Sequence, residues 1–351
     1  MPTSEQDFLN LIDRHFPNHG EHVLLGRGDD CAVIDPGKPG DDPDTSGDPR
    51  GPHGRGQAGK PAPFCVSTDL FVEDAHFRRS YFAPADIGHK ALAAAASDLA
   101  GMAATPLGFA LSLMLPENLS DDFLDQMLGG MAALSQELDM PLVGGDLSRG
   151  PVLALDVVVF GRPGPWGRLL KRGQAKPGDA LLLLGDIGLA RAGLLELESR
   201  GCCQLDNWPA AIMAHLRPVP RIAEGLALAQ ITTPEGPAIS GLMDVSDGLA
   251  RDLPRFLGPH GAELTLGRDD LHPEVTAYFI AHGEDPLEAA ILGGEDYALL
   301  ACADPKRLPI VLAVMPQVKV IGRVTAEPGL RLNNGQVLRQ GFDHFAKHEA
   351  D

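Results

Sequence analysis

Apolar residues recur along the chain in two rhythms, and the alternation between them predicts the element order. Phe8, Leu9, Leu11, Ile12 and Phe16 form one helical stripe behind Ser4 and Asp7, which predicts a first helix over about residues 5–15. CAVID (31–35) and FCVSTDLFV (64–72) read as strands, and an Ala-rich run over about 85–103 reads as a buried helix. A strand at 107–115, a helix at 120–138 and strands at 140–143 and 152–160 complete one α and β unit. The pattern restarts with ALLLLG (180–185). Helices near 187–199, 218–230, 247–257 and 304–314 then alternate with strands at 238–243, 297–302 and 318–324. Two α/β domains, 1–165 and 166–351, follow from this pattern. They are joined by the aperiodic Gly-, Pro- and base-rich tract GRPGPWGRLLKRGQAKPGD (161–179).

One stretch breaks the rhythm. Between residues 35 and 63 half of the positions are Gly or Pro and no large apolar side chain occurs. Such a segment cannot bury enough surface to offset its ordering entropy, so it reads as a disordered insert without a functional role.

Composition narrows the function. With 29 Lys and Arg against 48 Asp and Glu, the formal net charge is −19, and no basic stretch stands out, which excludes nucleic acid as the expected partner. Aromatic residues make up only 5% of the chain, too few for base-stacking platforms. The five cysteines (Cys31, Cys65, Cys202, Cys203, Cys302) contain no C-x-x-C pair, and neither a zinc site nor a disulfide framework is indicated. The N-terminus lacks the basic and apolar regions of a signal peptide. The most membrane-like window, Ala91 to Leu115, is Ala-rich, contains Asp98 and is broken at Pro106. A cytoplasmic protein with no membrane partner is therefore expected.

The chemistry lies in where the carboxylates fall. GRGDDCAV (26–33), VSTDL (66–70), VGGDLSRG (143–150), MDVSDG (243–248) and GGEDY (293–297) each read as a Gly-, Ser- or Thr-rich turn at a strand end holding one or two carboxylates. Asp98 adds one more from the Ala-rich helix. A single Asp in a turn is ordinarily a cap or an Asx-turn. Several together repel one another unless cations neutralise them, and oxygen donors without His or Cys suit Mg²⁺ or Ca²⁺. Mg²⁺ completes its shell with water and phosphate, so a cluster of this size suggests several Mg²⁺ ions and a polyphosphate. No Walker, dinucleotide-binding or protein-kinase motif competes, and neither H-E-x-x-H nor G-x-S-x-G occurs.

The ordered blocks GRGDDCAVI, VSTDLFVEDAHF, IGHKALAAAASDLAGMAATP, LVGGDLSRGP, AKPGDALLLLGDIG, LMDVSDGLARDL, GGEDYALL and GFDHF resemble the thiamine-monophosphate kinase family, within the superfamily typified by aminoimidazole ribonucleotide synthetase. The resemblance spans nearly the whole chain apart from the insert. It implies a two-domain α/β (α+β) fold of the aminoimidazole ribonucleotide synthetase type. The N-terminal metal- and ATP-binding domain would pair its sheet across a homodimer, and the C-terminal domain would close over the nucleotide. It further implies ATP as co-substrate, thiamine monophosphate as acceptor, and direct Mg²⁺-assisted phosphoryl transfer to give thiamine diphosphate. Matched block by block, Asp30, Ser67, Thr68, Asp69, Asp98, Asp146, Asp244 and Asp247 resemble metal ligands. Gly144, Gly145, Arg172 and Ser246 resemble ATP contacts, and His76, Glu295 and Phe342 resemble contacts to the acceptor. Leu147-Ser148 replaces the family's usual Thr-Thr after GGD, and Ala95-Ala96 its usual Asn-Leu before SDL. No general base is assigned, because the acceptor phosphate is already ionised at neutral pH.

The remaining readings are another ATP-using superfamily member or a non-catalytic Mg²⁺-nucleotide-binding protein. Cys31 does not occupy the N-terminal Gly-rich position expected of selenophosphate synthetase, and the chain ends HFAKHEAD rather than in the reactive Cys expected of the hydrogenase-maturation member.

Overall fold

The computed structural model describes residues 22–26, 28–35 and 63–332. The expected first helix at 5–15, nearly all of the 35–63 insert and the GFDHF block with Phe342 lie outside the described residues.

The first half builds a six-stranded sheet in the order β1-β2-β3-β6-β4-β5. Its strands are β1 (Val23–Leu25), β2 (Ala32–Ile34), β3 (Phe64–Val72), β4 (Ala104–Leu115), β5 (Leu142–Arg149) and β6 (Ala154–Pro163). All pairings are antiparallel except that of β4 with the edge strand β5. Cys65, Phe71, Leu111, Leu113, Leu155, Val157 and Val159 point to the covered face and are buried. Against that face lies α1 (Pro84–Gly101), with Pro84 at its first turn. Eleven of the eighteen residues of α1 are Ala, Leu or Gly, and small residues on every side are what a helix enclosed on every side requires. α2 (Asp121–Glu137), capped by Ser120 Oγ accepting from Phe123 N, packs on α1. The helices approach closely at two glycines. A Cβ on Gly88 would stand 1.9 Å from the Met127 carbonyl, and one on Gly130 would stand 2.0 Å from that of Ala85.

The second half builds another six-stranded sheet in the order β10-β12-β7-β13-β11-β14. It comprises β7 (Ala180–Leu184), β10 (Ile239–Val245), β11 (Gly261–Leu264), β12 (Ala298–Ala303), β13 (Lys319–Thr325) and β14 (Leu330–Leu332), while β8 (Thr232–Thr233) and β9 (Gly236–Pro237) form a separate small hairpin. The helices are α3 (Leu189–Arg200), α4 (Pro209–Leu216), α5 (Ile222–Gln230), α6 (Leu249–Leu257), α7 (Pro273–Ala281), α8 (Pro286–Leu292) and α9 (Leu308–Val314). α1 also packs against α5 and β10, so one Ala-rich helix sits between the two sheets. Among the described residues no helix is long and apolar enough to cross a membrane.

Two local expectations are corrected. VGGDLSRG does not turn out of a strand. The strand continues to Arg149, because β4 pairs with it throughout and Gly145 lets it approach, a Cβ there standing 1.8 Å from the Leu111 carbonyl. VSTDL likewise lies inside β3 rather than at its end.

Candidate functional site

Three carboxylates from three separate elements converge between the domains. Asp30 precedes β2, Asp98 sits in the penultimate turn of α1, and Asp244 is on β10; one oxygen from each lies within 4.8 Å of the others. The fold makes room for this: a Cβ on Gly101 would stand 2.1 Å from Asp30 Oδ2, so the last residue of α1 has to lack one. Hydroxyls aim the other two acids. Ser67 Oγ donates to Asp98 at 2.5 Å, and Ser97 Oγ donates to Asp244 at 2.8 Å.

Burial pushes the Asp30 carboxyl well above the ordinary range; Arg172 opposes this, while Asp244 and Asp29 add to it. Asp98 is also pushed well up, by burial and then by Asp69, Asp244 and Asp30. Asp244 is raised by burial against the pull of Ser97 and Arg172. Asp69 is raised to about 6 by burial and by Asp244, Asp156 and Asp247. Such mutual repulsion identifies a place that gains from a cation. Asp30 Oδ2 is buried and has no hydrogen-bond partner among the described residues, a costly state that a cation would relieve. The donors are hard oxygens only. The residues therefore fit Mg²⁺, with Asp30, Asp98 and Asp244 as the group able to hold it.

Arg172, on the connector between the domains, donates through Nε to Asp30 Oδ1 at 2.8 Å, and its backbone N–H reaches Asp29 Oδ2 at 3.2 Å. An internal guanidinium thus partly neutralises the acidic cluster at its rim.

The other expected residues are distributed unevenly. Ser67 and Asp69 face the α1 side of the sheet. Thr68 and Asp146 face the opposite side, Thr68 Oγ1 donating to Asp156 at 2.8 Å, with Asp156, Ser112 and Asp146 in register across β6, β4 and β5. Gly144 and Gly145 are on that edge strand. Asp247 is held by Arg255 at 2.6 Å and by Arg251 at 3.5 Å, and its backbone N–H donates to buried Asp252. Ser246 lies in the same turn, where its carbonyl accepts from Glu295 N at 2.7 Å.

The GGEDY turn divides its two acids. Asp296 caps α3, accepting from Gly188 N at 2.7 Å and Ala190 N at 3.1 Å, whereas Glu295 turns the other way at φ +63°. His76 accepts from Val72 N through Nδ1 at 3.0 Å and stacks on Phe71.

Sequence reasoning did not single out Asp29, Ser97, Asp156, Lys90 or His215. Asp29 is the neighbour of Asp30 in GRGDD, and Lys90, the one Lys within the Ala-rich helix run, was detectable as a charge on a face that has no solvent. His215 and Asp156 carry no local signal.

The two-domain arrangement, with its acidic cluster between a sheet-and-helix N-terminal half and a second mixed sheet, defines a known class. Residues 28–162 match the model of AIR synthase related protein, N-terminal domain, and residues 176–333 that of its C-terminal domain. A thiamine-monophosphate kinase of Synechococcus elongatus is 33% identical, covering 96% of this chain and 100% of its own, and that of Salmonella typhimurium is 36% identical over 96% and 98%. The solved structure of AaThiL complexed with AMPPCP and TMP superposes with a TM-score of 0.78 at 25% identity, covering 97% of each chain. The chain belongs to the AIR synthase related family and, within it, to the thiamine-monophosphate kinases.

Proposed function

We propose that this protein transfers the γ-phosphoryl group of ATP to the phosphate of thiamine monophosphate, giving thiamine diphosphate and ADP. The observation that carries the reading is the convergence of Asp30, Asp98 and Asp244 from both halves of the chain, with an unsatisfied oxygen at its centre. A phosphate monoester has its second pKa near 6, so the attacking oxygen is already an anion and needs no base. The barrier is repulsion between two polyanions, and Mg²⁺, when bound, supplies the positive charge that lets them meet.

In this reading Asp30, Asp98 and Asp244, with Ser67, Asp69 and Asp247 around them, hold the ions. Thr68 and Asp146 act from the outer face of the sheet, beside the Gly144-Gly145 backbone that lies against ATP. Arg172 exchanges its contact with Asp30 for a phosphate oxygen, and Ser246 contacts the nucleotide. His76, Glu295 and Phe342 bind the acceptor. With the chain divided into domains near residue 165, both domains would contribute metal-binding acids.

The outer face of the N-terminal sheet supports a homodimer. Leu70 on β3 and Met114 on β4 are exposed on that face, and the edge strand β5 carries exposed Leu142, Val143 and Leu147; exposed apolar side chains on a sheet with only one face covered favour an interface. The five free thiols suit a reduced, cytoplasmic compartment.

A coupled assay of ADP release against a panel of phosphorylated vitamins and purine intermediates tests the function. Release confined to thiamine monophosphate is expected. Release with another acceptor would assign a different reaction, and ATP binding without ADP release would make the protein a nucleotide-binding module.

A further inference from the structure

Away from the acidic cluster, the domain boundary buries a second set of charges. Lys90 of α1 is fully buried, with 0% of its side chain exposed, and its Nζ lies 3.1 Å from Glu295 Oε1. His215 of α4, also buried, lies with Nδ1 3.2 Å from Glu295 Oε2 and 3.3 Å from Lys90 Nζ. The Glu295 side chain keeps 29% of its surface open. A carboxylate offers about four acceptor positions. Lys90 and His215 occupy two of them, and the partly exposed side chain leaves the others open to a ligand.

Burial alone would push Glu295 up, but Lys90 and His215 outweigh it and hold the carboxyl well below the ordinary range. Burial and Lys90 lower His215, which fits a neutral ring donating Nδ1–H to Glu295. Tyr81, Tyr297, Asp296 and Glu198 are the other ionisable groups that act on the triad. Both tyrosines are pushed up and so stay neutral, and the two acids reinforce the need for Lys90 as the local cation.

We infer that Lys90 and His215 are positioning residues that fix Glu295 as a permanently ionised anchor for the cationic heterocycle of the acceptor, and that α1 sets the distance between this anchor and the metal-binding acids. The inference rests on Glu295 being an acceptor contact.

Two further observations support it. Lys90 and Asp98 are eight residues apart on one helix, about 12 Å along its axis, so the anchor and the acidic cluster share a single rigid ruler. Side chains near both ends of that stretch reach across the domain boundary, Lys90 to Glu295 and Ser97, beside Asp98, to Asp244. In addition, a train of rings leads from the expected acceptor contact His76 to the triad: His76 on Phe71 (5.7 Å), Phe71 on Phe77 (4.9 Å), Phe77 on Phe82 (6.1 Å) and Phe82 on His215 (5.5 Å). Lys90 Nζ stands 5.5 Å from the centre of the Phe82 ring, a cation–π contact that helps retain its charge. The two acceptor contacts are thus tied into one wall.

The test is steady-state kinetics on the intact protein with Lys90→Met, His215→Leu, His215→Gln and Glu295→Gln, varying thiamine monophosphate and ATP separately. Lys90→Met should raise KM for the acceptor at least tenfold and leave KM for ATP within twofold. The acceptor KM of that variant should also rise more than the parent's as pH is lowered, because Glu295 has lost the cation that holds its carboxyl down. His215→Leu should act in the same direction, whereas His215→Gln, which keeps a donor, should stay within a few-fold of the parent. Lys90→Met combined with Glu295→Gln should match Glu295→Gln alone.

If Lys90→Met does not fold, the His215 pair and the double variant decide. The inference is overturned if Glu295→Gln is selective for the acceptor while His215→Leu and the foldable Lys90 variant raise both KM values together or neither. If Glu295→Gln itself leaves the acceptor KM unchanged, the assignment of Glu295 as an acceptor contact fails instead.

Discussion

Asp69→Asn should stabilise the metal-free protein while crippling the enzyme. The side chain projects from the α1 face of β3 and ionises at about 6 instead of 3.8, because burial and then Asp244, Asp156 and Asp247 disfavour its charge. Between those two values the folded state holds a proton that the unfolded chain has released, so stability falls as pH rises through the window and the full cost is present above pH 6. A displacement of that size corresponds to about 3 kcal/mol. The carboxyl is half-buried rather than enclosed, and water screening reduces the recoverable part to about 1–2 kcal/mol. Asn keeps the volume and removes the charge. Urea unfolding in EDTA at pH 7.5 should therefore show the variant more stable by that amount, with the difference vanishing at pH 3.5. Added Mg²⁺ should stabilise the parent more than the variant, since only ions that bind the folded state contribute. A variant less stable than the parent at both pH values, with an unchanged response to Mg²⁺, would show that Asp69 is a structural hydrogen-bond acceptor and refute the repulsion argument.

Asp30→Asn and Asp98→Asn should each lower kcat by about 10²-fold or more without loss of the folding transition, measured by ADP release and thermal unfolding in parallel; unfolding with normal activity per folded molecule would make these acids structural. Gly101→Ala should be as damaging as either, since its Cβ would displace Asp30 Oδ2, and the loss of Mg²⁺-dependent stabilisation reads this directly. His76→Ala should raise KM for the acceptor more than it alters the pH profile of kcat, whereas loss of an ionisation near pH 6–7 would reveal a base. Leu70→Glu, placing a charge on the exposed outer face of the N-terminal sheet, should convert a dimer to monomers by light scattering. An unchanged mass would locate the interface elsewhere.

Much of this protein is legible in its sequence because its signals are local. The long strand 64–72, the Ala-rich helix and the restart at Ala180 rest on periodicity and side-chain size within one segment, and they appear where the pattern puts them. α4, α7 and α8 escaped although α5, α6 and α9, equally short, were read: at seven to nine residues a helix shows barely two turns of period, and these three form where α3 and one another cover them. β5 read as a short strand ending in a turn because Gly144, Gly145 and Asp146 are turn residues in isolation; pairing with β4 overrides that preference.

The site divides in the same way. The sequence determined which carboxylates stand beside glycines and hydroxyls, and so which chemistry the chain can support. Only the tertiary structure decided that Asp30, Asp98 and Asp244 meet at one point, that Asp146 and Thr68 look out from the opposite face of the sheet, and that Asp296 is spent on capping a helix while its neighbour Glu295 faces Lys90 and His215. Charge clustering depends on distances between residues far apart in sequence, 147 positions for Ser97 and Asp244 and more for Asp30 and Asp244, and no periodicity within a segment encodes such a distance.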